Sequence, residues 1–297
     1  MRKLIVLALV GLVAQLVDGS LGMGYGVTST TLLVVAGLTP AAASASVHFS
    51  ELGTNIASGV AHWRLRNVDW RVVARIAGPG AVGSFLGATL LSSLSTDAAA
   101  PLMSTLLAVL GLYVLVRFVL GRRPGFRRQL TARFLAPLGL VAGFVDATGG
   151  GGWGPVATPA LLADGRLEPR KVIGSVDTSE FAVSAAASLG FLIGLGAGGI
   201  SWSFALALLA GGLVAAPLAA YLVRVAPAHV LGIVVGGMIL ATNTRVLLKT
   251  FDTATPVRLL AYGLILALTV VALSLGVART RRQAAQQAES PAELVSA

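Results

Sequence analysis

The chain has 297 residues, 56% of them hydrophobic and only 11% charged, with a formal net charge of +10. That leaves too little polar surface for a soluble globule of this length, and long apolar stretches recur from end to end, so the composition indicates an integral membrane protein built of helices. No cysteine is present, which excludes disulfides, thiol chemistry and cysteine metal sites, and the basic residues sit in short clusters between apolar runs, as in cytoplasmic loops rather than on a nucleic-acid-binding face.

The first apolar region, Leu4–Leu38, follows "MRK" and is interrupted by "DGSLGMGYG". It lacks a small-residue cleavage site followed by a polar mature start, so it belongs to the fold and is not a signal peptide. Three apolar segments follow, near residues 41–63, 72–94 and 99–120, and then a basic stretch, "GRRPGFRRQLTAR", at 121–133. A second interrupted region, Phe134–Ala163, carries "GGGGWGP". Spans are expected again near 171–196, 202–223, 230–248 and 257–278, before a polar tail, 279–297, expected to be mobile or loosely helical. Each interrupted region is expected to form two short arms of about 10 to 17 residues, the shorter ones reaching about half of a ~30 Å hydrocarbon core.

The two interruptions are the same motif written twice. Gly11–Gly26 and Gly139–Gly154, offset by 128 positions, share 9 of 16 residues. Asp18 falls on Asp146, Ser20 on Thr148, and Tyr25 on Trp153, while Gly22, Gly24 and Gly26 fall on Gly150, Gly152 and Gly154. The chain therefore reads as repeat 1 (4–120), a basic cytoplasmic linker (121–133), repeat 2 (134–249) and one extra transmembrane helix (256–278). Loop charges choose between crossing once and dipping back at each break. With re-entrant hairpins and an external N-terminus, "WRLRNVDWR", "GRRPGFRRQLTAR", "DGRLEPRK", Arg224 and "RTRR" all become cytoplasmic, as the positive-inside rule requires. A hairpin plus three spans returns the chain to the opposite side, so the repeats become inverted. The expected fold is thus all-α: two inverted repeats, each a re-entrant broken-helix hairpin plus three transmembrane helices, with one extra C-terminal transmembrane helix.

Breaking a helix inside a membrane frees backbone N–H and C=O groups that protein, water or ligand must satisfy. The N-terminus of a restarting helix aims N–H groups and a partial positive charge at one point, and glycine lets an anion approach. Pro155 suits the first turn of the restarting helix. The expected anion site is therefore Ser20, Gly22, Gly24, Tyr25 and Gly26 with Thr148, Gly150, Gly152, Trp153 and Gly154: hydroxyl donors, backbone donors and amphipathic walls. Packing alone is the bland explanation for one glycine cluster; it explains two aligned clusters with a shared aspartate less well.

The doubled "D-x-x-x-G-x-G-[YW]-G" and its threonine- and proline-rich restart resemble the TauE/SafE sulfite exporter family, also called the TSUP family. A second alignment strengthens the resemblance. "TPAAASASVHFSELGTNIASG" matches "EPRKVIGSVDTSEFAVSAAAS" at an offset of 129, placing Ser50-Glu51 on Ser179-Glu180, Ser46 on Ser175 and His48 on Asp177. The resemblance covers about Leu4 to Lys249. It implies export or exchange of sulfite, sulfoacetate or other organosulfonates across the plasma (inner) membrane, with no enzymatic activity, cofactor or metal.

Intramembrane carboxylates are functional candidates by default. Asp18 and Asp146 stand at the breaks, where a carboxylate can also bond freed N–H groups of a local turn. Glu51 and Glu180 lie within a spanning helix, where capping does not explain them. A coupling or gating role is assigned to Glu51, Glu180, Asp18, Asp146 and His48, the last one turn from Glu51. Arg117 and Arg245 align near helix ends, where arginines usually snorkel to the interface. Asn55 and Asn243 are weaker candidates for interior donors.

The function expected is secondary transport of small sulfur-containing anions by alternating access around a midplane site. The alternative is a passive anion channel or a carrier of small carboxylates; an intramembrane aspartyl protease is the least favoured. The expected partners are a small anionic substrate and the lipid bilayer, with room for a homodimer and none for nucleic acid. Single cysteines placed in 62–71 and 121–133 should both label from the cytoplasmic side; labelling from opposite sides would refute the inverted topology.

Overall fold

A computed structural model describes residues 2–120, 131–164, 167–222 and 228–293, and among these there is no strand. The helices are α1 (Arg2–Leu21), α2 (Tyr25–Val35), α3 (Pro40–Arg64), α4 (Trp70–Ser93), α5 (Thr96–Leu120), α6 (Ala132–Gly149), α7 (Trp153–Asp164), α8 (Pro169–Leu195), α9 (Trp202–Leu222), α10 (Ala228–Thr250) and α11 (Thr255–Glu293). Six are long and apolar enough to cross a bilayer by composition: α1, α4, α5, α8, α9 and α11. At 25 residues α3 has the length as well, but serines, Thr54, His48 and Glu51 dilute its hydropathy. The chain is an all-helical integral membrane protein. Most of the linker expected at 121–133 lies outside the described residues. Of the C-terminal tail, residues 279–293 continue α11 as helix.

Local sequence explains where helices begin. Thr39 caps α3, its hydroxyl accepting from Ala42 N at 3.3 Å, with Pro40 in the first turn. Asp69 caps α4, accepting from Arg71 N at 2.9 Å. Glu168 and Pro169 open α8; there the Arg170 guanidinium, bonding Glu168 at 2.6 Å, holds that exposed carboxyl below its usual range.

The broken segments correct one expectation. Their first arms are not short: α1 runs 20 residues and α6 runs 18, both continuing past the motif aspartate. Neither Asp18 nor Ser20 interrupts its helix. The Ser20 hydroxyl folds back onto the carbonyls of Leu16 (2.7 Å) and Val17 (3.0 Å), and Asp18 reaches forward beyond the break. Only the second arms are short, 11 residues in α2 and 12 in α7.

Packing between the halves is reciprocal. α1 lies along α9 and α6 lies along α4; α3 meets α9 and α8 meets α4; α5 pairs with α10 and α3 with α8. Under the sequence offset, each of these pairs maps onto another pair or onto itself. Two aligned serines repeat the pattern: Ser46 of α3 accepts from Ser201 N (3.2 Å) just before α9, and Ser175 of α8 accepts from Asp69 N (2.8 Å) just before α4. The α11 span packs chiefly on α10 and is mostly exposed.

Small residues set the helix separations. A Cβ on Gly139 would sit 2.6 Å from Ile76 O, and one on Gly83 would strike the Leu140 carbonyl, so α4 and α6 touch backbone to backbone. Gly111 and Gly236 do the same for α5 and α10, each within about van der Waals contact of the other's carbonyl. Because backbone cannot move aside as a flexible side chain does, Gly83→Val should destabilise the detergent-solubilised protein by about 1–3 kcal/mol. Gly263→Ala, with no neighbour within 4 Å, should be neutral. Thermal unfolding of the two variants checks this.

Candidate functional site at the paired helix breaks

Each break is made by two glycines in conformations that side chains rarely adopt. Gly22 has φ 67° and Gly24 φ 133°; Gly150 has φ 73° and Gly151 φ 139°. The break therefore uses Gly22 and Gly24 in the first motif but Gly150 and Gly151 in the second, a one-residue difference that Met23 imposes by occupying the position aligned with Gly151.

The motif aspartates cap the helices that restart. Asp18 Oδ1 accepts from Tyr25 N at 3.2 Å, and Asp146 Oδ1 accepts from Gly152 N at 2.8 Å and Trp153 N at 3.1 Å. Both carboxylates are buried. A side chain one turn before the break thus satisfies donors just after it and places a negative group at the positive end of α2 or α7.

The two breaks touch each other. A Cβ on Gly26 would lie 2.6 Å from Gly151 Cα, and one on Gly154 would lie 2.6 Å from both Gly22 O and Met23 Cα. Thr158 Oγ1 donates to Gly22 O at 2.5 Å, and the aligned Thr30 lies against Gly150. The glycines of the expected site are therefore brought together, closely enough that the start of each restarting helix meets the backbone of the other break.

Around this contact lie two acidic clusters, each assembled across the repeats. In the first, His48 Nδ1 is hydrogen-bonded to Glu51 Oε2 at 2.9 Å and lies 3.9 Å from Asp146 Oδ2. Ser184 also donates to Glu51 Oε2 (3.0 Å) and accepts from Asn55 Nδ2 (3.3 Å). Glu51 Oε1 has no hydrogen-bond partner and is 3.2 Å from where a Gly26 Cβ would be. In the second cluster, one carboxylate oxygen each from Asp18, Asp177 and Glu180 come within 4.8 Å of one another. The aspartate of each half thus meets the acidic helix of the other: Asp146 with α3, Asp18 with α8.

The aromatic walls act first as tethers. Trp153, fully buried, donates its indole N–H to Val176 O at 3.0 Å. Tyr25 donates its hydroxyl to Ser50 Oγ at 3.0 Å, since Ser50 spends its own proton on Val47 O. Ser20 has likewise spent its proton within α1, whereas Thr148 Oγ1 is buried without a partner and faces Gly87 of α4. Asn243 donates to Thr31 Oγ1 at 2.9 Å. Arg245 lies with Lys249 at a separate cleft near the end of α2, and the side chain of Arg117 lies outside the described residues.

Sequence reasoning passed over Asp177, His62 and Ser184. The signal for Asp177 was its alignment with His48; for Ser184, its alignment with Asn55 at the same offset. The Asn55–Ser184 pair also borders a cleft of about 350 Å³ between α3, α4 and α8, whose lining includes Asn55, Trp63, Trp70 and Thr178. Hydrogen bonds run from that cleft through Ser184 to Glu51 and His48.

A helical membrane chain whose buried polar groups gather at two broken helices has the construction of a membrane transporter, and comparison with known proteins agrees. The pattern of the family described as "Sulfite exporter TauE/SafE" matches residues 7–246, and the chain belongs to that family. It is 51% identical over 265 residues to a "Probable membrane transporter protein YtnM" of Bacillus subtilis (strain 168), covering 88% of each chain. It is 26% identical over 220 residues to a "Probable membrane transporter protein" of Haemophilus influenzae, covering 74% of this chain and 85% of the relative. No solved structure matches. The chain is a multi-pass membrane transporter and not an enzyme.

The capping geometry makes a prediction. Asp146→Ala leaves two buried N–H groups unsatisfied and Asp18→Ala leaves one, at about 1–3 kcal/mol each. Asp146→Ala should therefore lower the melting temperature of the purified protein more than Asp18→Ala. Asp146→Asn, which keeps an acceptor oxygen, should lose least. Equal losses for alanine and asparagine at 146 would show that charge, not capping, holds the break.

Proposed function

We propose that the chain is a secondary transporter that moves small sulfur-containing anions, such as sulfite, sulfoacetate or other organosulfonates, out across the plasma membrane. On this reading alternating access occurs around an anion site where the two glycine breaks meet. The observation that carries it is the close approach of the two glycine breaks, where Gly26 at the start of α2 meets Gly151 and Gly154 at the start of α7 meets Gly22 and Met23, next to buried carboxyl groups. Backbone N–H groups at such termini suit an oxyanion, and the family's description supports sulfite as the type substrate.

Inverted repeats are part of the proposal, supported by the reciprocal pairing of α1 with α9 and α6 with α4. Re-entrant hairpins are supported by length. Laid end to end, α1 and α2 would run about 46 Å, well beyond a ~30 Å core, while α2 alone covers about 17 Å. In the resting arrangement the aspartates fill the anion's place, so substrate entry requires the breaks to part. Glu51 is assigned the proton-linked gate, because its Oε1 faces Gly26 without a partner. The titratable groups around it are His48 on its own helix, Asp146, Asp18, Tyr25, Asp177 and Glu180.

Counterflow in proteoliposomes with labelled sulfite, sulfoacetate and lactate tests the substrate class. Saturable exchange of the sulfur anions with lactate excluded is expected; lactate alone exchanging would establish the carboxylate carrier instead. Glu51→Gln keeps an acceptor for His48 and Ser184 while removing the charge. Its transport should lose pH dependence while the melting temperature holds, and an unaltered pH profile would remove Glu51 from the gate.

A further inference from the structure

The two clusters occupy equivalent places but differ in charge. Around Glu51 and Asp146 stands His48, whose ring can carry the compensating positive charge. In the partner cluster the aligned residue is Asp177, so a third carboxylate takes the histidine's place. The basic side chain facing this cluster is His62, with Nε2 3.9 Å from Asp177 Oδ2. Asn67 holds its amide nitrogen 3.2 Å from His62 Nδ1. Burial disfavours the charged imidazolium, so this ring offers the cluster little compensating charge. Three buried carboxyl groups with no compensating positive charge must either take up protons or hold a cation.

A second observation points to what resolves this. Both oxygens of Asp177 are buried without a hydrogen-bond partner. The completely buried Ser58 hydroxyl faces the Asp177 carboxylate. The Asp177 oxygens on α8 and the Ser58 hydroxyl on α3 lie beside the carboxylates of Asp18 on α1 and Glu180 on α8. The donor set is all oxygen, which suits hard cations. Opposite ligands of an ion with metal–oxygen distances of about 2.4 Å lie about 4.8 Å apart, and the three carboxylate oxygens fall within 4.8 Å.

We propose that Asp18, Asp177, Glu180 and Ser58 form a binding site for a hard cation of sodium or calcium size, the charge counterpart of His48 in the opposite cluster. It deepens the transport reading by supplying a coupling ion beside the anion site, but the binding itself does not depend on which anion is carried. One ligand, Asp18, also caps α2 at the break, so cation occupancy and the break geometry share a residue.

The test uses the purified full-length chain with no anionic substrate, so its outcome is separate from that of the counterflow assay. Melting is followed against sodium, calcium, potassium and magnesium chlorides at constant ionic strength kept by choline chloride, and binding of radioactive sodium and calcium is measured directly. Sodium or calcium should raise the melting temperature saturably, by about 5 °C at a hundredfold excess over Kd, and the arm that responds names the ion. Asp177→Asn should abolish the response and Ser58→Ala should weaken it. Asp177→His supplies the ring found in the other cluster and should fold without responding to cation; it also covers the case in which Asp177→Asn does not fold. Neither sodium nor calcium stabilising or binding the wild type overturns the proposal, as does a response that survives intact in Asp177→His.

Discussion

Freed backbone N–H groups inside a membrane have nowhere to go, and the structure depends on how this chain meets that constraint. Asp18 and Asp146 each reach across a glycine break to hold the helix that restarts beyond it. The aspartates must then be buried, which brings negative charge into the protein's interior, and everything charged or polar near them follows from that. His48, Ser184 and Asn55 are arranged around one half of the problem; Asp177, Glu180, Ser58 and His62 surround the other.

This arrangement links stability to transport. On the proposed reading, groups that close the breaks at rest are the same groups an entering anion must compete with, because a carboxylate and an oxyanion seek the same N–H donors. A permanently open anion site would need no such caps, and a purely structural break would need only one acidic residue beside it. Glu51, Asp146 and Asp177 each keep a buried oxygen without a hydrogen-bond partner, which suits the exchangeable ligands that the proposed mechanism requires.

The helical membrane class, the duplicated break and the family were all legible in the sequence, since apolar length and an aligned D-x-x-x-G-x-G motif are local signals. The position of the helix ends was less so. Asp18 and Ser20 look like helix breakers, yet their side chains find partners along the chain and α1 continues to Leu21. Asp177 was passed over because its importance arises across the repeats: only the fold brings it to Asp18, which lies in the other half of the chain. His62 and Asn67 carried no pattern in sequence, being united by the turn after α3.

Reciprocal packing also governs how the protein can be made. α1 emerges first but docks on α9, which begins at Trp202. At about 5–20 residues per second the ribosome needs roughly 10 to 40 s to deliver that partner. Through this interval Gln15 and Asp18, both buried in the finished fold, lack the cover that α9 supplies. The N-terminal helix must therefore wait for its main packing partner during synthesis, and the first half of the chain has no finished interior of its own. Assembly proceeds by late closure, in which the second half completes the first, so a nascent chain halted before α9 is a substrate for membrane quality control.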